Sequence, residues 1–256
     1  MSAQETTAQG FGAEEIELIM KIAFLTVVTL AGSLQFVSGA DIAGKVVLKG
    51  TPKPEIPIDM ASSFDKTCGA AHSGPVTTRH YLVSQDGGLA DVFVYIRGGV
   101  SQKHLPAPAE EPLLDQVGCL FEPYVMGVMV NQRFKIRNSD PTLHNVHAQP
   151  TQGENKEFNL GQVGKGQVSK KSFLSPEVMV RFKCDVHPWM FAYVGVVDNP
   201  YFGVTGKDGI FRISGVPNGK YTIEAYHPKT HGANPGISRE ITVNGDTKVD
   251  FTVELK

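Results

Sequence analysis

Val178-Met179-Val180-Arg181-Phe182-Lys183-Cys184-Asp185-Val186-His187-Pro188-Trp189-Met190 reads as a strand that runs into a tight loop. Successive side chains on a strand point to opposite faces. Val178, Val180, Phe182 and Cys184 therefore share one face, and Met179, Arg181 and Lys183 share the other. The apolar face is the one that meets a core, so the Cys184 sulfur points inward where the strand ends. His187 and Met190 follow at Cys-x2-His-x2-Met spacing, in a loop stiffened by Pro188. A sheet with one apolar face needs a second layer to cover it.

The surrounding sequence supplies such layers. Strand patterns lie at 44–48, 79–83, 91–96, 125–130, 133–138, 171–173 and 191–197, and then at 210–213, 220–225, 238–243 and 248–253. The breaks between them are turn material: Asp86-Gly87-Gly88, Pro106-Ala107-Pro108, Asp140-Pro141, Asp208-Gly209, Asn218-Gly219 and Asn244-Gly245. Such pairs tolerate the positive φ of tight hairpin turns. Gly 27 and Pro 16 without a period point the same way. The chain therefore reads as all-β, of the sandwich type. Asn199-Pro200 suggests a boundary between a first domain, 41–198, and a second module, 199–256. The last 58 residues are few for an independent core. They are expected to pack onto the first domain or to complete one of its sheets.

Composition narrows the function classes. The 256 residues carry 24 Lys+Arg against 26 Asp+Glu, a net charge of −2, with 41% hydrophobic and 20% charged residues. That excludes a disordered tail protein, and it offers no basic footprint for a nucleic-acid partner. Residues 1–19 hold Glu5, Glu14, Glu15 and Glu17 but no Lys or Arg, the wrong start for an export signal. The right pattern begins at Met20: Lys21, an apolar run over 22–37, then the small residues Ser38-Gly39-Ala40. Residues 1–40 are thus expected to be an early start followed by a signal peptide. The product would be periplasmic or secreted, with no membrane span once the signal is removed. An uncleaved anchor is the competing reading, although the run falls short of the roughly 20 residues a span needs.

Export changes how the three cysteines read. In an oxidising compartment two tend to pair. Cys184 lies close to His187, which leaves Cys68 and Cys119 as a possible disulfide, or as two separate buried thiols.

A thiolate, an imidazole and a thioether together make a soft donor set suited to copper. A trigonal site needs a second imidazole. One is available in Asn138-Ser139-Asp140-Pro141-Thr142-Leu143-His144-Asn145-Val146-His147. If 144–148 is extended, His144 shares a face with Val146 while Asn145 and His147 share the other. His144 is accordingly the expected ligand and His147 faces solvent. Asn145 is then placed to hold the backbone near Cys184. Zinc is the competing metal, because His144-x2-His147 with Cys184-x2-His187 imitates a site of one cysteine and three histidines. Strand alternation argues against it by pointing His144 and His147 apart. The remaining His72, His80, His104, His227 and His231 lack the His-x-His spacing of a second copper type, and His227-x3-His231 reads as a solvent-facing loop. No nucleophile elbow, phosphate loop or His-Glu-x2-His motif is present.

His144-Asn145 followed by Cys184-x2-His187-x2-Met190 resembles the type 1 (blue) copper proteins, the cupredoxins. The short ligand loop with Pro188 is most similar to the amicyanin branch, and the general pattern to plastocyanins. The resemblance covers about 119–198. It implies a Greek-key β-sandwich, one copper ion, and single-electron transfer without bond chemistry. It further implies Cys184, His144 and His187 as equatorial ligands and Met190 as a weak axial one. A redox partner, a cytochrome or dehydrogenase, would dock where His187 reaches the surface beside apolar residues such as Pro141. Two features depart from the pattern: Asp185 stands where Ser or Thr is usual, and the N-terminal side, 41–118, is long. Residues 201–256 resemble carboxypeptidase regulatory-like modules through Gly209–Tyr221, which implies a small β-sandwich with a binding or packing role. The competing function is an exported binding module with structural zinc or no metal.

Overall fold

The computed structural model describes residues 39–60, 66–101, 105–231 and 235–255. The expected start at Met20 and nearly all of the expected signal peptide lie outside the described residues. Among the described residues no helix is long and apolar enough to cross a membrane.

In chain order the strands are β1 (Ala40–Lys49), β2 (Pro57–Ile58), β3 (Val76–Thr77), β4 (Phe93–Gly98), β5 (Leu113–Val117), β6 (Leu120–Glu122), β7 (Val125–Met129), β8 (Phe134–Asn138), β9 (His144–Gln149) and β10 (Phe158–Gln162). They continue with β11 (Val168–Lys171), β12 (Glu177–Lys183), β13 (Phe191–Val197), β14 (Phe202–Val204), β15 (Ile210–Val216), β16 (Gly219–Tyr226), β17 (Ile237–Val243), β18 (Thr247–Lys248) and β19 (Phe251–Glu254). Two short helices, α1 (Lys66–Ala70) and α2 (Pro228–His231), interrupt them. The chain is all-β and sandwich-built, as its turn chemistry indicates.

One pair of sheets, β10-β9-β12-β13-β7 and β11-β8-β5-β6, encloses Phe121, Phe134, Ile136, Val146, Phe182 and Val194. These are the inward positions of strands whose outward positions are polar, the period-two arithmetic that makes a sandwich. A second pair, β14-β4-β16-β17 and a sheet centred on β1, encloses Ile42, Val46, Val94, Phe211, Ile223 and Phe251.

The division at 198–200 does not separate these cores. β1 pairs antiparallel with β15 and parallel with β18 and β19, and β4 pairs with both β14 and β16. Residues 40–49 and 93–98 thus supply two strands to the sheets of the C-terminal module. The physical reason is size: 58 residues cannot enclose a core alone. The long N-terminal side of the chain is what completes it.

The two sandwiches interlock through a steric slot. Gly195 on β13 sits opposite Gly127 on β7. The rings of Phe93 and Phe202 fill the space where side chains would stand. A Cβ at Gly195 would lie 2.6 Å from the Phe93 ring. Overpacking of this kind typically costs about 1–3 kcal/mol. Gly195→Ala should therefore lower the thermal midpoint, and an unchanged midpoint would mean that Phe93 swings aside at no cost.

Two local expectations are corrected. Residues 79–83 form no strand and contribute only an isolated bridge, Val83 to Leu89. On β12 a bulge between Glu177 and Val180 adds a residue, with Met179 at φ 68°. It reverses the first part of the alternation, so that Met179 is buried and Val178 only half-buried. From Val180 onward the expected pattern holds: Val180, Phe182 and Cys184 are buried and Arg181 is exposed.

Candidate metal centre

The bulge sits at the far end of β12, so it leaves the register at Cys184 intact. β12 pairs antiparallel with β9, Phe182 opposite Ala148 and Lys183 opposite His147. Continuing that register brings Asp185 beside Asn145 and the Cys184 sulfur to the His144 face. The loop after Cys184 closes on itself: the Cys184 amide donates to the Met190 carbonyl at 3.2 Å, and the Met190 amide donates to the His187 carbonyl at 2.9 Å.

His144, Cys184 and His187 are brought together, with one donor atom from each lying within 4.8 Å of the others. All three are buried, at 0%, 2% and 1% exposure. His144 Nδ1 lies 3.1 Å from His187 Nδ1, which is 3.7 Å from Cys184 Sγ. Met190, fully buried, belongs to the same core cluster as Cys184.

The tautomer of His144 follows from its other side. Its Nε2 donates to Asp140 Oδ2 at 2.9 Å, which leaves a lone pair on Nδ1 facing Cys184 and His187. Asp140 also accepts from the Gly118 and Cys119 amides at 2.7 and 2.8 Å. Burial works to raise the Asp140 carboxyl, but His144 and these two amides outweigh it and hold it below the usual range. Burial likewise works to lower His144, and Asp140 with Cys184 overcomes that and raises it. At Cys184 burial favours the thiol, yet the adjoining His144 and His187 imidazoles and the backbone of Asn145 and His187 outweigh it and bring the group down to about 6. A depressed thiol is a thiolate at neutral pH, the form that binds metals.

Asn145 does what its face implies. Its Oδ1 accepts from the Asp185 amide at 2.7 Å and lies 3.3 Å from Cys184 Sγ. The unusual Asp185 adds a second bond to the same residue, its carboxylate accepting from Asn145 Nδ2 at 2.9 Å. It is held by Lys183 at 2.7 Å, His147 at 2.9 Å and Asn159 at 2.9 Å. Lys183 and these partners drive the Asp185 carboxyl well down.

Three expectations about histidines are corrected. His147 faces away from His144 as anticipated, but it lies between the carboxylates of Glu157 and Asp185 instead of facing open solvent. His227 is buried, stacked on Tyr81 at 5.3 Å, because the loop carrying it packs down through α2. His187 does not reach the surface at all. Residues 57–60 and 66–77, carrying the β2–β3 pair and α1, cover its loop and add Met60 and Cys68 to the core. Cys68 is bonded to Cys119. Trp189 Nε1 donates to the Cys119 carbonyl at 3.0 Å, and His72 bonds the Gly118 carbonyl at 2.7 Å. Two cysteines upstream of the ligand stretches hinted at this cap, but nothing local around Cys68 marks its destination.

The donor set fits a soft metal ion: one thiolate and two imidazole nitrogens converge in a buried space, with a thioether residue in the same core.

No family model matches the chain, and no curated protein matches it. The structural neighbours are cupredoxins and a related enzyme. A copper-containing nitrite reductase from Thermus scotoductus SA-01 has 20% identity and a TM-score of 0.33, covering 40% of this chain and 26% of its own. A purple cupredoxin from Nitrosopumilus maritimus has 18% identity and a TM-score of 0.28 over 34% of this chain and 99% of its own. A methionine-to-alanine mutant of amicyanin in its Cu(I) form has 20% identity and a TM-score of 0.30 over 40% of this chain and 97% of its own. The chain thus spans about a quarter of the nitrite reductase and nearly all of the other two.

Proposed function

We propose that this protein is an exported type 1 copper protein that passes single electrons between redox partners and performs no bond chemistry of its own. The observation that carries the reading is the convergence of His144, Cys184 and His187, buried and donor-to-donor, from stretches 40 residues apart. His144 and His187 would bind through Nδ1, Cys184 through its thiolate and Met190 through its thioether. Bound there, copper supplies a one-electron couple in a geometry acceptable to both oxidation states.

The chain's own residues prepare that site. Asp140 fixes the His144 tautomer, Asn145 restrains the sulfur and the Asp185 amide, and the cap excludes water from His187. With His187 covered, partner contact is assigned to the edge beside His144, where Pro141 and Leu143 are exposed. The partner, a cytochrome or dehydrogenase, needs only a small docking area for brief electron exchange. Structural zinc is disfavoured because His147, the fourth ligand it would recruit, is committed to Glu157 and Asp185. The C-terminal sandwich serves packing, through the aromatic slot against β7 and β13.

Colour tests the assignment. Cu(II) added to oxidised protein should give an intense visible thiolate-to-copper band and a narrow parallel hyperfine splitting. Cys184→Ser should lose both. A colourless wild type, or equal colour in the variant, overturns it.

A further inference from the structure

We propose that Cys68, Cys119 and His187 constitute a second soft-metal site, which is closed here by the Cys68–Cys119 bond and available when both cysteines are thiols. One donor atom from each of the three lies within 4.8 Å of the others, and they are 0%, 1% and 1% exposed. This is a built interior cluster, not a chance meeting of surface groups.

The second observation is a nitrogen without a partner. His187 Nε2 is buried and makes no hydrogen bond, whereas its Nδ1 is engaged toward His144 and Cys184. A buried polar atom left unsatisfied costs about 1–3 kcal/mol, so native structures rarely keep one without a use. Both ring nitrogens of one imidazole can serve as ligands, each to a different centre. Nδ1 looks to the Cys184 side, and Nε2 is the atom left for the sulfurs of Cys68 and Cys119.

The Cys119 side of the frame is held by bonds other than the sulfur–sulfur bond. The Cys119 amide is held by Asp140, its carbonyl by the Trp189 indole, and the preceding Gly118 carbonyl by His72. Cys68 sits in α1 and packs in the same core. Two thiolates and one imidazole select a soft ion of low coordination number, and Cu(I) is the one that fits. Binding exchanges two thiol protons for the ion and moves no electrons. The disulfide and the dithiol differ by two electrons and two protons, so the site opens only when an external thiol or phosphine reductant cleaves the bond, and the metal-bound and bridged states then exclude each other. Only the sharing of His187 with the electron-carrying centre rests on the function proposed above, and the three-ligand cluster stands without it.

The experiment uses the Cys184→Ser chain, which lacks the thiolate of the first centre. It is titrated with Cu(I) against a chromophoric Cu(I) chelator, once oxidised and once reduced with a phosphine. The reduced form should take up one equivalent and the oxidised form none, and bound Cu(I) should keep the cysteines from re-forming their bond in air. Two thiols of an unfolded chain would also bind Cu(I), so His187→Asn in the same background is the control. It should weaken binding at least about tenfold, a loss that even outer-shell changes reach. Equal uptake by oxidised and reduced chains overturns the proposal, as does unchanged affinity in His187→Asn. A colourless wild type with Cu(II) would remove the electron carrier and leave this titration untouched.

Discussion

Replacing both bridged cysteines, Cys68→Ser with Cys119→Ser, should lower the stability of the sandwich that carries His144 and Cys184 by about 4 kcal/mol, the chain-entropy value for a loop of this size. The bridge spans 51 residues, and its closure removes freedom mainly from the unfolded chain. The folded chain also loses something, because the bridge pins α1 and β2–β3 over the His187 loop. The single tryptophan, Trp189, reports on that place, since its indole donates to the Cys119 carbonyl. Urea denaturation followed by tryptophan emission should therefore show an earlier midpoint, and the folded baseline should shift to the red as water reaches the indole. A loss below about 1 kcal/mol with an unshifted baseline would show that the cap holds by packing alone.

The cap also marks where reading the sequence reaches its limit. His144, Cys184 and Asn145 could be placed from alternation alone, since a strand's period of two is a local property and both strands were bounded by clear turns. His187 was placed in the right loop but at the wrong depth. Its burial depends on residues 57–60 and 66–77 folding back over a loop more than a hundred residues later, and no local pattern records that. The same limit explains the domain boundary. Val46 on β1 alternates like any sandwich strand, yet its partner Phe251 lies at the other end of the chain. Periodicity announces a strand and leaves its neighbour open. The bulge at Met179 shows a third kind of limit: one extra residue changes the face of everything before it, and Val178-Met179 contains no glycine to announce the bend.

Asp140→Ala is the single substitution near the centre with the largest expected effect, because one carboxylate serves three donors from two parts of the chain. It accepts from the Gly118 and Cys119 amides and from His144 Nε2, and it is 5% exposed. Removing it strands three donors at about 1–3 kcal/mol each. Some relaxation is expected, so a net loss of about 3–5 kcal/mol should appear in denaturant titrations. Asp140→Asn separates charge from shape. It keeps an oxygen at Oδ1 for the Gly118 amide but turns its amide nitrogen toward the Cys119 amide and His144 Nε2, which both use Oδ2, a donor facing donors. The imidazole then does best by moving its proton to Nδ1, which extinguishes the lone pair aimed at Cys184 and His187. Copper affinity should fall about 10- to 100-fold, the usual range for outer-shell partners of metal-bound histidine, while stability falls less than in Asp140→Ala. Acid dependence gives an independent check. The Asp140 carboxyl is held below its unfolded value, so its contribution is present above about pH 4 and is lost as the pH falls further. Without copper, wild type should lose stability over that range more steeply than Asp140→Asn. Parallel acid profiles together with unchanged copper affinity would mean that Asp140 only fills space, and that His144 takes its tautomer from the metal.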